Sequence, residues 1–291
     1  MQVSVLGAGT MGRDIAHVCA VAGHEVTLRD IEQAILDDAI ETIENNLAGG
    51  VERGKIDQAD ADEAVANIET MTDLEGAVTD AAVVIEAVPE DIELKQEIFT
   101  DVEQATASDT LLATNTSSLS VTELASVLEH PDRVLGLHFF NPAYIMELVE
   151  VVVAEQTDQS VQRRAESFVE GIDRTPITVQ DTPGFASSRL GVSLGVEAIR
   201  MLESGVAEPR DIDQAMTLGY NHPMGPIELT DHIGLDVRLD VLEYLREELG
   251  ERFRPPQLLK RKVRAGHLGK KTGQGFYVWE DGEIAGVTTD E

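Results

Sequence analysis

Val3-Ser4-Val5-Leu6-Gly7-Ala8-Gly9-Thr10-Met11-Gly12 is the stretch on which the reading of this chain turns. A short strand runs straight into G-x-G-x-x-G, and Met11, Ile15, Val18 and Ala22 then recur at helical spacing. The next extended stretch, 25–29, ends beside Asp30, about 18 residues after Gly12, where ~20 is expected of a ribose-binding acid. In a strand–turn–helix each glycine has a task. Gly7 makes the tight turn, Gly9 lets a pyrophosphate approach the backbone, and Gly12 allows close helix–strand packing. Ala8, Thr10 and Met11 complete the loop, and the helix start offers N–H groups and partial positive charge to phosphates. Asp30 accepts from a ribose 2′-OH and repels a 2′-phosphate, which favours NAD over NADP; the adjacent Arg29 argues the other way. FAD shares the fingerprint, and a glycine turn without a ligand is the plain alternative.

Working outward, the first half alternates strands with helices. Residues 31–47 read as a helix, a weak strand lies near Ile68, and 81–85 is continuously apolar, as a strand buried on both faces should be. A helix over 92–105 follows, then strands at 111–114, 133–139, 148–153 and 176–179. This alternation implies a mostly parallel sheet with helices on both faces. Asp181-Thr182-Pro183-Gly184 is a turn, and nearly everything after it is helical. Leu190, Leu194, Ala198 and Leu202 mark one helix, and Pro209 opens another. Leu235, Leu239, Leu242, Leu245 and Leu249 form an apolar seam, suited to a subunit interface or an intrachain core, and only 276–279 looks extended. The expectation is an α/β chain. Residues 1–182 form a Rossmann-type, mostly parallel sheet with an antiparallel edge, and residues 183–291 an all-helical C-terminal domain. A length of 291 residues suits two domains.

Charge narrows the functions. Asp and Glu number 54 against 22 Lys and Arg, a net charge of −32. Such a chain repels nucleic acid and anionic lipid, while 42% hydrophobic residues argue against disorder. An acidic, lysine-poor surface suits a cytoplasm rich in salt, where the Debye length falls to about 3 Å; a halophilic source is preferred over an ordinary acidic protein. Cys19 is the sole cysteine, so an internal disulfide framework is excluded, and its apolar helical setting marks an inert thiol. No apolar run approaches transmembrane length and no basic leader precedes Val3, so a cytoplasmic protein is expected. His17, His24, His130, His222, His232 and His267 show no metal-ligand spacing, and no metal is expected.

Gly136-Leu137-His138-Phe139-Phe140-Asn141-Pro142 ends one strand, and Leu148-Val149-Glu150 begins the next. The link is too short for a parallel crossover, so the strands run antiparallel. Register then faces His138 with Glu150 around a turn centred on Tyr144. A carboxylate beside an imidazole fixes its tautomer and supports its basicity, as needed to take a hydroxyl proton while hydride leaves carbon. A structural histidine pinned to a buried acid is the competing reading. Asn115-Thr116-Ser117-Ser118 follows a strand end, where open parallel sheets hold ligands. Its hydroxyls suit a substrate oxygen or nicotinamide amide, or alternatively helix capping before Leu119.

Seven segments together resemble the L-3-hydroxyacyl-CoA dehydrogenases over essentially the whole length. They are residues 7–12, Val88-Pro89-Glu90, 115–118, 136–142, Asp181-Thr182-Pro183-Gly184-Phe185, His222-Pro223-Met224-Gly225-Pro226 and Gly269-Lys270-Lys271-Thr272-Gly273. The resemblance implies oxidation of an L-3-hydroxyacyl-CoA to the 3-ketoacyl-CoA with NAD. It makes His138 the acid/base, Glu150 its electrostatic partner, and Ser117 a contact of substrate and cofactor. Glu90, Lys95, Asn141 and Lys271 match cofactor contacts beside the glycine loop and Asp30, while Asn46 and Arg53 fall where the family contacts CoA. Arg53 offers an anionic CoA a local cation on an acidic protein. Ser188 stands where the family often has an active-site asparagine. The resemblance also implies a homodimer through the C-terminal domain. Two other classes compete: a dehydrogenase of a free sugar acid or hydroxy acid, and a nonenzymatic NAD-binding protein of crystallin-like or redox-sensing type.

Overall fold

The opening strand β1 (Gln2–Leu6) is buried from Val3 to Leu6 and delivers the backbone through the glycine turn into α1 (Thr10–Val21). In the computed structural model, which describes residues 1–288, the chain divides into two compact units, Met1–Thr182 and Pro183 onward. The first unit continues through β2 (Glu25–Arg29), α2 (Gln33–Glu52), α3 (Gln58–Ala66), β3 (Ile68–Met71), α4 (Leu74–Val78), β4 (Val83–Glu86) and α5 (Ile92–Ala105). It closes with β5 (Leu111–Thr114), α6 (Val121–Ala125), β6 (Val134–Phe139), β7 (Leu148–Val153), α7 (Gln159–Gly171) and β8 (Thr175–Gln180).

Its eight strands lie in the order β3-β2-β1-β4-β5-β6-β7-β8. Pairings from β3 to β6 are parallel, β7 runs antiparallel to β6, and β8 pairs parallel with β7. The antiparallel edge is thus a two-strand ribbon, and the strand order reverses between β1 and β4, where such sheets open a crevice at their carboxyl ends. β4 and β5 are buried at every residue, as strands covered on both faces must be. The helix read over 31–47 starts two residues later and continues through Gly49 and Gly50 to Glu52. Each glycine costs a helix about 1 kcal/mol, but Leu47, Val51 and Ile56 pack into the core here. Packing outweighs propensity, and α3, absent from the sequence reading, follows.

Burial also stores acid sensitivity in this unit. His17 on α1 stacks on Tyr144 with ring centroids 5.4 Å apart and is 7% exposed. Burial, then the nearby Arg174 charge, lower its pKa from 6.5 to about 4. The folded state therefore binds fewer protons than the unfolded one between those values. Stability from neutral His17 is complete above pH 6.5 and lost as pH falls through about 4. The loss amounts to about 3 kcal/mol at full protonation. His17→Phe keeps a stacked ring without the titration. Urea unfolding at pH 7 and 4 should show the variant losing less stability than the parent; parallel losses would assign the sensitivity to other groups.

The second unit comprises α8 (Ser187–Glu203), α9 (Pro209–Gly219), α10 (Pro226–Ile233), α11 (Leu235–Leu249) and α12 (Gln257–Arg264), then β9 (Tyr277–Glu280) and β10 (Glu283–Val287). The helical expectation holds except at the end, where β9 and β10 pair antiparallel, so "all-helical" is corrected to helical with a terminal hairpin. Two buried aspartates explain the hairpin. Asp213 accepts from Ile227 N and Glu228 N at the start of α10 (2.8 and 3.0 Å) and from the Tyr277 hydroxyl (2.6 Å). Asp231 accepts from Phe276 N, Tyr277 N and Trp279 Nε1 at 2.8, 2.9 and 3.0 Å. Leu235, Leu242 and Leu245 of the seam lie in this unit's own core with Val196, Ile199 and Trp279, which favours the intrachain reading. Among the described residues no helix is long and apolar enough to cross a membrane.

Candidate cofactor and catalytic site

The glycine loop leaves β1 at the crevice between β1 and β4. Gly7 has φ +94°, and a Cβ there would lie 2.8 Å from the Ala87 carbonyl oxygen just beyond β4. A Cβ on Gly12 would overlap the Gly7 carbonyl oxygen, whereas one on Gly9 would meet nothing within 4 Å. Two glycines are therefore needed for packing, and the third leaves open space above the backbone. No acid occupies the first turn of α1 to cancel the positive end of its dipole. Asp30 Oδ2 accepts from Ala8 N (2.8 Å) and Oδ1 from Ile31 N (2.7 Å), so loop and acid are fixed to each other. Arg29 is turned to the backbone, its Nε donating to the Thr72 carbonyl at 3.2 Å.

A cavity of about 590 Å³ opens here, lined by Gly7, Gly9, Thr10, Met11, Arg29 and Asp30 and walled by Ile31, Ile35, Val88, Pro89, Leu94 and Ile98. An apolar slot, a ribose-height carboxylate and a bare helix N-terminus fit a dinucleotide in the order adenine, ribose, pyrophosphate.

The second constellation sits on β6 and β7. Register pairs His138 with Glu150, as the short connection implied, and His138 Nδ1 lies 2.7 Å from Glu150 Oε2. Glu150 is fully buried and His138 is 6% exposed, with the Phe140 ring centroid 4.6 Å from the imidazole. With Glu150 ionised, Nδ1 carries the hydrogen and Nε2 is the basic nitrogen of the neutral ring. Asn115 Oδ1 accepts from Phe139 N at 2.9 Å, tying the loop after β5 to the residue following His138.

That loop wraps the Glu90 carboxylate. Glu90 Oε1 accepts from Thr116 Oγ1 (2.5 Å), Ser117 N (3.0 Å), Ser118 N (3.2 Å) and Ser118 Oγ (3.1 Å). Burial pushes this carboxyl up, but the Thr116 hydroxyl, the Lys95 charge and the Ser117 and Ser118 donors outweigh it, and it ends below the usual carboxylate range. The loop also carries the capping alternative in part: Thr116 Oγ1 accepts from Leu119 N at 2.9 Å, while the N-cap of α6 itself is Ser120, which accepts from Glu123 N.

The remaining residues singled out in the sequence are scattered. Lys95 is 1% exposed, its ammonium 2.6 Å from Glu86 Oε1 and 3.2 Å from the carbonyl oxygen of Val88, a residue of the cavity wall. Asn141 is exposed just beyond β6. Asn46 is half-buried on α2, and Arg53 is exposed at its end; neither lines the cavity. Ser188 is half-buried in the first turn of α8, and Lys271 pairs with Asp236 at 2.6 Å, both in the second unit. Cys19 is buried and its thiol is pushed up to about 12 by burial, so it is inert. Glu86, fully buried at the end of β4, was missed. Its signal was an acid closing the apolar run at 81–85.

Residues 2–182 match the family model "3-hydroxyacyl-CoA dehydrogenase, NAD binding domain", and residues 184–279 match the C-terminal domain of the same family. A 3-hydroxybutyryl-CoA dehydrogenase of Clostridioides difficile is 39% identical over 278 residues, 95% of this chain and 99% of the relative. The mitochondrial hydroxyacyl-coenzyme A dehydrogenase of Sus scrofa is 38% identical, covering 96% of this chain and 91% of its own length. The crystal structure of (S)-3-hydroxybutyryl-CoA dehydrogenase from Ralstonia eutropha superposes with a TM-score of 0.93 at 38% identity, over 96% of this chain and 99% of that one.

Proposed function

We propose, from the premise that the chain belongs to the 3-hydroxyacyl-CoA dehydrogenase family, that His138 and Glu150 carry the chemistry of its NAD-dependent oxidation of L-3-hydroxyacyl-CoA to 3-ketoacyl-CoA. The carrying observation is the buried 2.7 Å contact between His138 Nδ1 and Glu150 Oε2 beside the Asn115–Phe139 tie. NAD, when bound, supplies the acceptor for the hydrogen leaving C3. The chain's residues manage the proton and the geometry. His138 Nε2 takes the proton of the 3-hydroxyl, Glu150 stabilises the imidazolium so formed, and reduction runs the same path backwards. Gly7, Ala8, Gly9, Thr10, Met11 and Gly12 hold the pyrophosphate, and Asp30 the ribose.

Ser117, the exposed residue of the Glu90-bound loop, meets the substrate oxygen and the cofactor. Glu90, Lys95, Asn141 and Lys271 complete the cofactor contacts, Ser188 takes the place of the family's asparagine, and Asn46 with Arg53 receives CoA. A second copy of the chain is the expected partner, through the C-terminal unit, and the cytoplasm the expected location. The test is NADH formation from 3-hydroxybutyryl-CoA against free 3-hydroxybutyrate, with CoA as competitor. Faster turnover of the free acid, insensitive to CoA, would favour the hydroxy-acid class; binding of NADH without turnover of either would favour a nonenzymatic protein.

The net charge of −32 motivates a salt prediction within the halophile reading. Self-repulsion is unscreened at 0.01 M salt, with a Debye length of about 30 Å, and screened at 1 M, with about 3 Å. Tm should climb steadily across a KCl series between these limits. A Tm indifferent to KCl would remove the halophile reading and leave the enzyme untouched.

A further inference from the structure

The first unit contains a buried ion pair that the reaction as described does not use. Lys95 Nζ lies 2.6 Å from Glu86 Oε1, 3.2 Å from the Val88 carbonyl oxygen and 3.4 Å from Glu90 Oε2. Those are three acceptors for the three donors of an ammonium. Glu86 is equally committed: Oε1 also accepts from Val88 N at 2.7 Å, and Oε2 from Thr114 Oγ1 at 2.7 Å. The two side chains are 1% and 0% exposed. A buried pair of this kind is poor evidence for stability, because desolvation costs about what attraction returns and well-packed apolar residues often serve as well. What the pair does that apolar residues would not do is hold Glu90.

Glu90 joins this pair to the reaction site. Its Oε2 faces Lys95 while its Oε1 gathers four donors from Thr116, Ser117 and Ser118. The far side of the same loop is pinned through Asn115 to Phe139 N, beside His138. Thr114, which ends β5 and leads into the loop, binds Glu86 directly. The Ser117 backbone is therefore held from two sides, by the β6 strand that bears His138 and by a charge relay rooted in β4.

We infer that Glu86 is a positioning residue: through Lys95, the buried counter-ion of the relay, and Glu90 it sets where Ser117 stands relative to His138. The inference rests on the assignment of His138 and Ser117 given above. Positioning matters here because effective catalysis needs reacting groups held near attack geometry, and small misplacements cost large factors in rate.

The decisive variant is Glu86→Met/Lys95→Met, which replaces both members of the pair by apolar side chains and leaves Glu90 held by the Thr116, Ser117 and Ser118 donors alone. If the pair only fills space, the double variant keeps Tm, kcat and loop protection together. Under the inference Tm is kept, but kcat for 3-hydroxybutyryl-CoA falls about tenfold or more. The kcat is read at saturating NAD, which separates positioning from any loss of cofactor grip at Lys95, and Thr114→Val, which spares Lys95, keeps its NADH affinity by fluorescence. Amide hydrogen exchange at residues 116–119 speeds up by about tenfold. Thr114→Val, nearly isosteric, removes one bond to Glu86 and should give the same pattern at smaller amplitude, so the inference stays testable if the double variant does not fold. Parent-like kcat and parent-like exchange in either folded variant would overturn it. A parent enzyme that does not turn over 3-hydroxybutyryl-CoA would instead overturn the reading of the site, while the exchange data would still decide whether the relay orders the loop.

Discussion

His138→Gln should lower kcat by roughly 10²–10⁴, the range spanned by loss of a general acid–base group, while KM for acyl-CoA and NAD moves only a few-fold. Glutamine fills much of the imidazole's space and can still meet Glu150, but it cannot accept a proton at neutral pH. An interaction used in the transition state and not in ground-state binding is lost from kcat and kcat/KM alike. Glu150→Gln should cost about 10² or more, because a neutral amide neither fixes the Nδ1–H tautomer nor supports the imidazolium. NADH absorbance with 3-hydroxybutyryl-CoA measures both, and circular dichroism checks that each variant is folded. Turnover close to the parent in either would leave the β6–β7 pair as a structural contact and send the search for the base elsewhere.

What the sequence made legible follows from where physics is local. Strands buried on both faces read as apolar runs, as β5 does, while β2 reads by its alternation of buried Val26 and Leu28 with more exposed neighbours. The His138–Glu150 register was readable because a short hairpin has one dominant pairing and side chains alternate with period two. The glycine loop was readable because its residues act within one turn. What was hidden depends on the third dimension. Glu86 and Lys95 lie on a strand end and a later helix, and nothing in their spacing says that the lysine points inward. A buried acid demands donors, charged or neutral, as Asp213 and Asp231 show, so its partner cannot be picked from composition alone. The second unit teaches the same point. A Cβ on Gly275 would collide with the Asp231 carboxylate, and one on Gly225 with Asp213. Gly225, a motif glycine that carries the resemblance, and Gly275, just beyond another such motif, thus seat the hairpin, and their local sequence reads only as turns.

Cofactor choice should be decided by one carboxylate. Asp30 ends β2 at the cavity, and its oxygens are fixed by Ala8 N and Ile31 N, so it cannot swing aside for a phosphate. An NADP 2′-phosphate would be brought beside this charge, and like-charge juxtaposition costs several kcal/mol. The cation that would rescue it is engaged: Arg29 Nε donates to the Thr72 carbonyl. The expected result is kcat/KM for NAD exceeding that for NADP by roughly 10²–10³, the fold equivalent of about 3–4 kcal/mol. Asp30→Asn keeps the shape and the acceptor for Ala8 N but removes the charge. It should narrow the preference by about tenfold or more, through better use of NADP and weaker grip on the NAD ribose. Raising KCl should narrow it in the parent but not in Asp30→Asn, because only the parent's discrimination is electrostatic. A parent enzyme that uses NADP as well as NAD would mean that Asp30 serves the glycine loop, through its bond to Ala8 N, and does not select the cofactor.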